Sequence, residues 1–209
     1  MKTLKSYHTK NKVEAGCDEA GRGCLAGPVF ASAVILPKKY RNKELRDSKK
    51  LIEEQRNRLA EKIKEEALFW AVAKCSPTEI DKYNILWASV RAMHKALKKL
   101  KQQPELILVD GNKFLPYKQI QHICVVKGDD KYLSIAAASV LAKVTRDNYM
   151  VKLDKKYPSY QWYSNKGYPT NAHRAGIIQN GLTPEHRKSF RQLPMDTPQE
   201  LFKNLPKLK

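Results

Sequence analysis

Three short apolar runs in this chain each stop on carboxylates, and that pattern limits the fold more than any other feature. VEAGCDE closes on Asp18 and Glu19, ELILVD on Asp110, and HICVVKGDD on Asp129 and Asp130. Runs of this length and composition read as β-strands. A strand ending abruptly in Asp puts the acid at the rim of a sheet. If the three rims lie together, like charges meet that cannot all stay ionised unaided. One Asp beside a Gly is ordinary turn chemistry; its repetition on three strands argues for a shared site. Oxygen donors without neighbouring His or Cys suit Mg²⁺ or Mn²⁺.

Around those runs, strand and helix signals alternate. Residues 29–37 (VFASAVILP) predict a fuller strand stopped by proline, and 68–75 (LFWAVAKC) another. Leu51, Leu59, Ile63 and Ala67 give 51–67 helical spacing. Ser76-Pro77-Thr78-Glu79 supplies an N-cap, a proline at the first helical position and a capping-box acid. A second helix follows over about 85–101. From Leu133 to Met150 the alanine-rich SIAAASVLAKVTRDNYM predicts a long helix able to pack close to a sheet. Beyond Tyr157, prolines, aromatics and short capped segments predict helices at 170–180, at Thr183-Pro184-Glu185 and at Thr197-Pro198-Gln199-Glu200. The fold expected is α/β: a mixed sheet of five strands flanked by helices over 1–154, with a small helical extension over 155–209. The short GRGCLAGP connection implies antiparallel neighbours early in the sheet, and the later helices imply parallel crossovers.

Composition enters through charge. Forty Lys and Arg face 21 Asp and Glu, a formal net charge of +19. Such an excess favours a polyanionic partner, above all nucleic acid. The four cysteines, at 17, 24, 75 and 124, form no CxxC pair or zinc pattern and read as reduced thiols of a cytoplasmic protein. No apolar run reaches the length of a membrane span. MKTLKSYHTKNK has no apolar stretch behind its charges and is expected to be a short flexible arm.

Two phosphate-binding motifs are near-misses. Gly16 to Gly21 has the glycine spacing of a P-loop, but Arg22-Gly23 follows instead of Lys-Ser/Thr, and Asp18 and Glu19 would repel phosphates from inside it. Gly21, Gly23 and Gly27 miss the dinucleotide fingerprint by one residue and lead into a strand. The acids therefore fit a metal site better than a phosphate cradle. Two ions about 4 Å apart can clamp both sides of an in-line phosphoryl displacement, while lysines and arginines hold the remaining phosphates.

These residues resemble the ribonuclease HII family. DEAGRGCLAGP is similar to its opening motif, and DSKKL (47–51), LVDGN (108–112), VVKGDDKYLSIAAASVLAKVTRD (125–147), NKGYPT (165–170) and HRKSF (186–190) follow in the family's order. The resemblance spans about 13–190. It implies a ribonuclease H-like fold and a metal-dependent endonuclease, acting on the RNA strand of RNA–DNA hybrids and on single ribonucleotides embedded in duplex DNA. The expected products carry a 5′-phosphate and a 3′-hydroxyl.

By this resemblance the metal-binding acids are Asp18, Glu19, Asp110 and Asp129, with Asp130 adjacent to the last. Gly21, Arg22 and Gly23 match the loop that senses the 2′-hydroxyl, and Tyr168 matches the tyrosine against the sugar at the RNA–DNA junction. Ser48, Lys49 and Lys50 are candidate phosphate contacts. Lys143 and Arg146 join them from an expected polar side of the long helix, where Lys143 can also pair with Asp147. His173 and His186 stand either near a phosphate or as structural groups. The expected partner is an RNA–DNA hybrid or a ribonucleotide-containing duplex, bound by a monomer. A non-catalytic nucleic-acid binder and a DNA nuclease of the same fold are the competing readings.

Overall fold

The computed structural model describes residues 4–45 and 52–193. Five strands form one sheet in the order β3-β2-β1-β4-β5. β1 (Glu14–Ala20), β2 (Val29–Ile35) and β3 (Phe69–Cys75) are antiparallel neighbours, while β4 (Leu106–Asp110) and β5 (Gln121–Val125) run parallel to β1. The mixed sheet expected from the connection lengths is therefore present. Its parallel half brings the C-terminal ends of β1, β4 and β5 to one edge, because parallel strands finish on the same side.

Helices cover both faces. α1 (Glu53–Glu66) and α3 (Leu133–Asp154) lie on one, and α2 (Pro77–Lys99) on the other. α2 starts as the sequence dictates: the Ser76 hydroxyl accepts from the Glu79 amide, and the Glu79 carboxylate accepts from the Ser76 amide. It is broken at Asn84 (φ 59°), whose side-chain oxygen accepts from the Trp87 amide and restarts the helix close to the expected residue 85.

α3 packs against β1 at backbone contact. A Cβ on Gly16 would lie 2.2 Å from the Ser134 carbonyl carbon. Small residues along α3 (Ala136, Ala137, Ala138 and Ala142, all buried) allow this approach. The contact also sets register. Five helical residues beyond Ser134 advance about 7.5 Å, and two strand residues beyond Gly16 about 6.6 Å, so Ser139 arrives over Asp18. Asp18 indeed accepts a hydrogen bond from Ser139.

Tyr160, Trp162, Ile177 and Leu193, beyond α3, join Leu25, Ala26 and the α3 residue Met150 in a satellite core. α4 (Trp162–Asn165) is a single turn, and α5 (Asn171–Asn180) has Thr170 as N-cap and Gly181 at its C-terminus. Thr183-Pro184-Glu185, expected to be helical, is a turn: the His186 amide returns to the Thr183 carbonyl, and His186 then pairs with Ala26 as an isolated antiparallel bridge. The expected helix at Thr197 lies outside the described residues.

The amino-terminal arm also departs from expectation. Leu4 is buried, the Lys5 amide donates to Lys131, and the Leu133 amide donates to the Lys5 carbonyl. The Glu14 carboxylate takes the amides of His8 and Thr9, so the arm folds back onto β1. Its polar composition concealed a segment held by backbone bonds, which leave no trace in residue type.

Candidate active site

Asp18 and Glu19 leave β1 at its C-terminal end, and alternation along the strand sends them to opposite faces. Asp110 ends the parallel neighbour β4. Burial raises the Asp18 carboxyl well above the usual range, and the charges of Glu19 and Asp110 add to the rise. Glu19 is also raised, first by burial and further by Asp110, against the pull of Arg22. Three carboxylates thus repel one another across the adjacent ends of β1 and β4.

Each acid is turned towards a protein donor. Arg22 pairs with Glu19 at 3.1 Å, the Gly128 amide donates to Asp110 at 2.7 Å, and Asp18 takes Ser139 and the Glu19 amide. Among the described residues no three His, Cys, Asp or Glu side chains surround one point as ready-made ligands. Asp129 lies in the 3₁₀ turn after β5 (Gly128–Asp130), one residue past the amide that binds Asp110. Asp129 is half-buried and Asp130 exposed. The donor set is all oxygen, anionic and crowded, which fits a hard divalent cation.

A cleft of about 430 Å³ opens beside Glu19, lined by the Gly21–Gly23 loop, Arg56, Ser139, Lys143 and Tyr168. Across the Arg22–Glu19 pair lies a smaller recess of about 50 Å³ that includes Asp110 and Lys113. The two glycines of the loop are needed for different reasons. Gly21 has φ +95°, and a Cβ there would come within 2.0 Å of the Arg146 side chain; a Cβ on Gly23 would meet nothing within 4 Å. The fold requires the first glycine, whereas the second leaves an open approach to the cleft.

Tyr168 stands 40% exposed at the cleft wall. Its hydroxyl donates to the buried Cys24 thiol, and the Lys143 ammonium lies 5.9 Å from its ring centre. Lys143 also pairs with Asp147 at 2.7 Å, the i, i+4 partnership the spacing allowed.

Arg146 corrects the sequence reading. α3 is buried nearly all round, so it has no polar side at this position. Arg146 is 1% exposed and donates to the carbonyls of Ala26, Pro28 and Lys166, which leaves it facing no phosphate. His173 and His186 are buried structural groups. Trp162 donates to His173 Nε2, His173 Nδ1 meets the Tyr168 carbonyl at 2.9 Å, and His186 Nδ1 accepts from the Thr183 amide. Ser48, Lys49 and Lys50 lie outside the described residues.

Sequence reasoning assigned no role to Arg56, Ser139 or Arg187. Arg56 sits on the charged side of α1 soon after the basic 47–50 stretch, a signal that could have marked it. Ser139 was hidden in an alanine-rich run, and Arg187 makes its contacts more than 150 residues away in sequence.

The protein-family model described as Ribonuclease HII matches residues 15–193. A ribonuclease HII of Parabacteroides distasonis is 58% identical over 191 residues, covering 91% of this chain and 96% of its own. The crystal structure of ribonuclease H2 from Pyrococcus horikoshii superposes with a TM-score of 0.73 at 29% identity, covering 86% of this chain and 94% of that one. RNase HII from Archaeoglobus fulgidus, solved as a complex with PCNA, gives a TM-score of 0.72 at 27% identity over 88% of this chain and 98% of its own.

Proposed function

The chain belongs to the ribonuclease HII family, hydrolases of RNA in RNA–DNA hybrids, and on that premise we propose that it is a cytoplasmic, monomeric, divalent-metal-dependent endoribonuclease that also cuts at a single ribonucleotide within duplex DNA, leaving a 5′-phosphate and a 3′-hydroxyl. The observation that carries this reading is the crowding of Asp18, Glu19 and Asp110 on adjacent parallel strand ends beside an open cleft. Such an edge gains more from cations than from any arrangement of its own neighbours.

Asp18, Glu19, Asp110 and Asp129 would hold Mg²⁺ or Mn²⁺. Bound there, a pair of ions would activate the attacking water and stabilise the leaving oxygen. Ser139 and the Glu19 amide orient Asp18, and Gly128 orients Asp110. Arg22, Arg56 and Lys143 line the cleft and take phosphates flanking the cut, with Ser48, Lys49 and Lys50 as further contacts. The peptide groups of Gly21, Arg22 and Gly23 read the 2′-hydroxyl, since only a ribose offers one. The Tyr168 ring lies against the neighbouring sugar.

The test is a duplex carrying one ribonucleotide, incubated with and without Mg²⁺ or Mn²⁺, beside its all-DNA twin. Cleavage at the ribonucleotide only, and only with metal, is the expected result. Cutting of the all-DNA twin, or cutting after chelation, rejects the reading.

A further inference from the structure

Arg187 is 0% exposed, yet it is neither idle nor paired with an acid. Its Nη2 donates to the Gly21 carbonyl at 2.7 Å, its Nη1 to the Arg22 carbonyl at 2.9 Å and its Nε to the Gly27 carbonyl at 3.0 Å. Among the described residues no carboxylate lies within ion-pair distance of it. Burial pulls its guanidinium down to about 10, which leaves it charged at neutral pH. The backbone carrying it is fixed to the same loop: the Arg187 amide donates to Leu25, and the Gly27 amide donates to Glu185. The Asp81 carboxylate, on α2, fastens the next turn by accepting from the amides of Lys188 and Ser189 and from the Ser189 hydroxyl.

Among the described residues there is no cis peptide. In a planar trans peptide the carbonyl and the following N–H point in opposite directions. Turning the Gly21 and Arg22 carbonyls down onto the buried guanidinium therefore turns the Arg22 and Gly23 amides the other way. The same residues line the cleft. We infer that Arg187 is a positioning residue for ribose recognition: it locks two successive amides of the Gly21–Gly23 loop towards the cleft, where they can donate to sugar or phosphate oxygens of the ribonucleotide. This deepens the proposed function and rests on it. The three carbonyls are spaced to suit the rigid planar fork of arginine, and the point charge of a lysine cannot span them. Arg146, on the carbonyls of Ala26, Pro28 and Lys166, ties the same loop to the Tyr168 segment, so both walls of the sugar site rest on one buried platform.

The experiment compares Arg187→Lys with the unmodified enzyme on the single-ribonucleotide duplex, with thermal unfolding measured alongside. Misplacing a reacting group by a fraction of its contact distance costs on the order of 10²-fold, so kcat should fall by about tenfold to a hundredfold in the folded variant. KM, set mainly by phosphate contacts, should change little. A folded Arg187→Lys enzyme with unchanged kcat overturns the inference. Should that variant not fold, Asp81→Ala decides: releasing the turn after Arg187 should lower kcat without raising KM, and an unchanged kcat overturns the inference there. Failure of the unmodified enzyme to discriminate the ribonucleotide from its all-DNA twin would instead reject the parent reading.

Discussion

At the scale of single residues, the site separates groups that react from groups that hold. Asp110→Asn keeps the size of the side chain and its bond to Gly128 while removing one of three crowded charges. Cleavage should fall by about 10³-fold, the order lost with one strong electrostatic stabiliser, while hybrid binding in a filter assay persists. The two loop glycines give a sharper contrast. Gly21→Ala adds a methyl at positive φ against Arg146 and should lower the unfolding temperature measurably. Gly23→Ala meets open space within the protein, so it should melt like the parent yet cut the embedded ribonucleotide more slowly. A Gly23→Ala enzyme of full activity would show that nothing approaches that Cα closely. The acids were legible in the sequence because a strand ending in Asp is a local pattern. Arg146 was misread because its helix is buried on nearly every side, and the carbonyls it serves belong to distant segments.

At the scale of elements, α3 and the sheet depend on an absent side chain. Gly16→Ala would place a methyl 2.2 Å from the α3 backbone, so helix and strand must part. Overpacking of this kind costs about 3 kcal/mol, and the shift should also carry Ser139 off Asp18, which kinetics at a temperature below unfolding would detect. The alanines of α3 announced a close approach, but the strand glycine that permits it looks in sequence like any turn glycine. The segment after α3 rests on two buried histidines. Burial lowers both, His186 to about 3; His173 adds to the lowering of His186, and Arg174 adds to that of His173. A histidine kept neutral in the fold but free to charge when unfolded gives the unfolded chain more bound protons below about pH 6.5. Stability is therefore full above that pH and falls as pH drops, by about 1.4 kcal/mol per pH unit for His186, with His173 acting in the same direction. Urea unfolding at pH 7 and pH 5 should show the loss, and His186→Gln should reduce it. Capping signals at Ser76 and Thr170 were readable because they need only neighbours in sequence, whereas the Thr183 turn mimics a cap and ends as a bridge to Ala26.

At the scale of the whole molecule, the charge excess of +19 and the anionic edge have to coexist. The edge is confined to the ends of β1, β4 and β5, so the basic remainder can attract a polyanion that the acids alone would repel. Affinity for a hybrid should fall steeply with salt, by about 10³-fold between about 50 and 200 mM if six phosphates are neutralised; a flat response in a titration would remove the basic surface from docking. The mix of antiparallel and parallel strands followed from connection lengths, but the docking of the amino-terminal arm did not, because it depends on backbone groups of Lys5, Lys131 and Leu133. That strap joins the start of the chain to the turn bearing Asp129. Anything fused ahead of Leu4 would emerge within a few residues of the reactive edge. A purification handle there risks crowding incoming nucleic acid, while a small fluorophore in the same place would report its arrival.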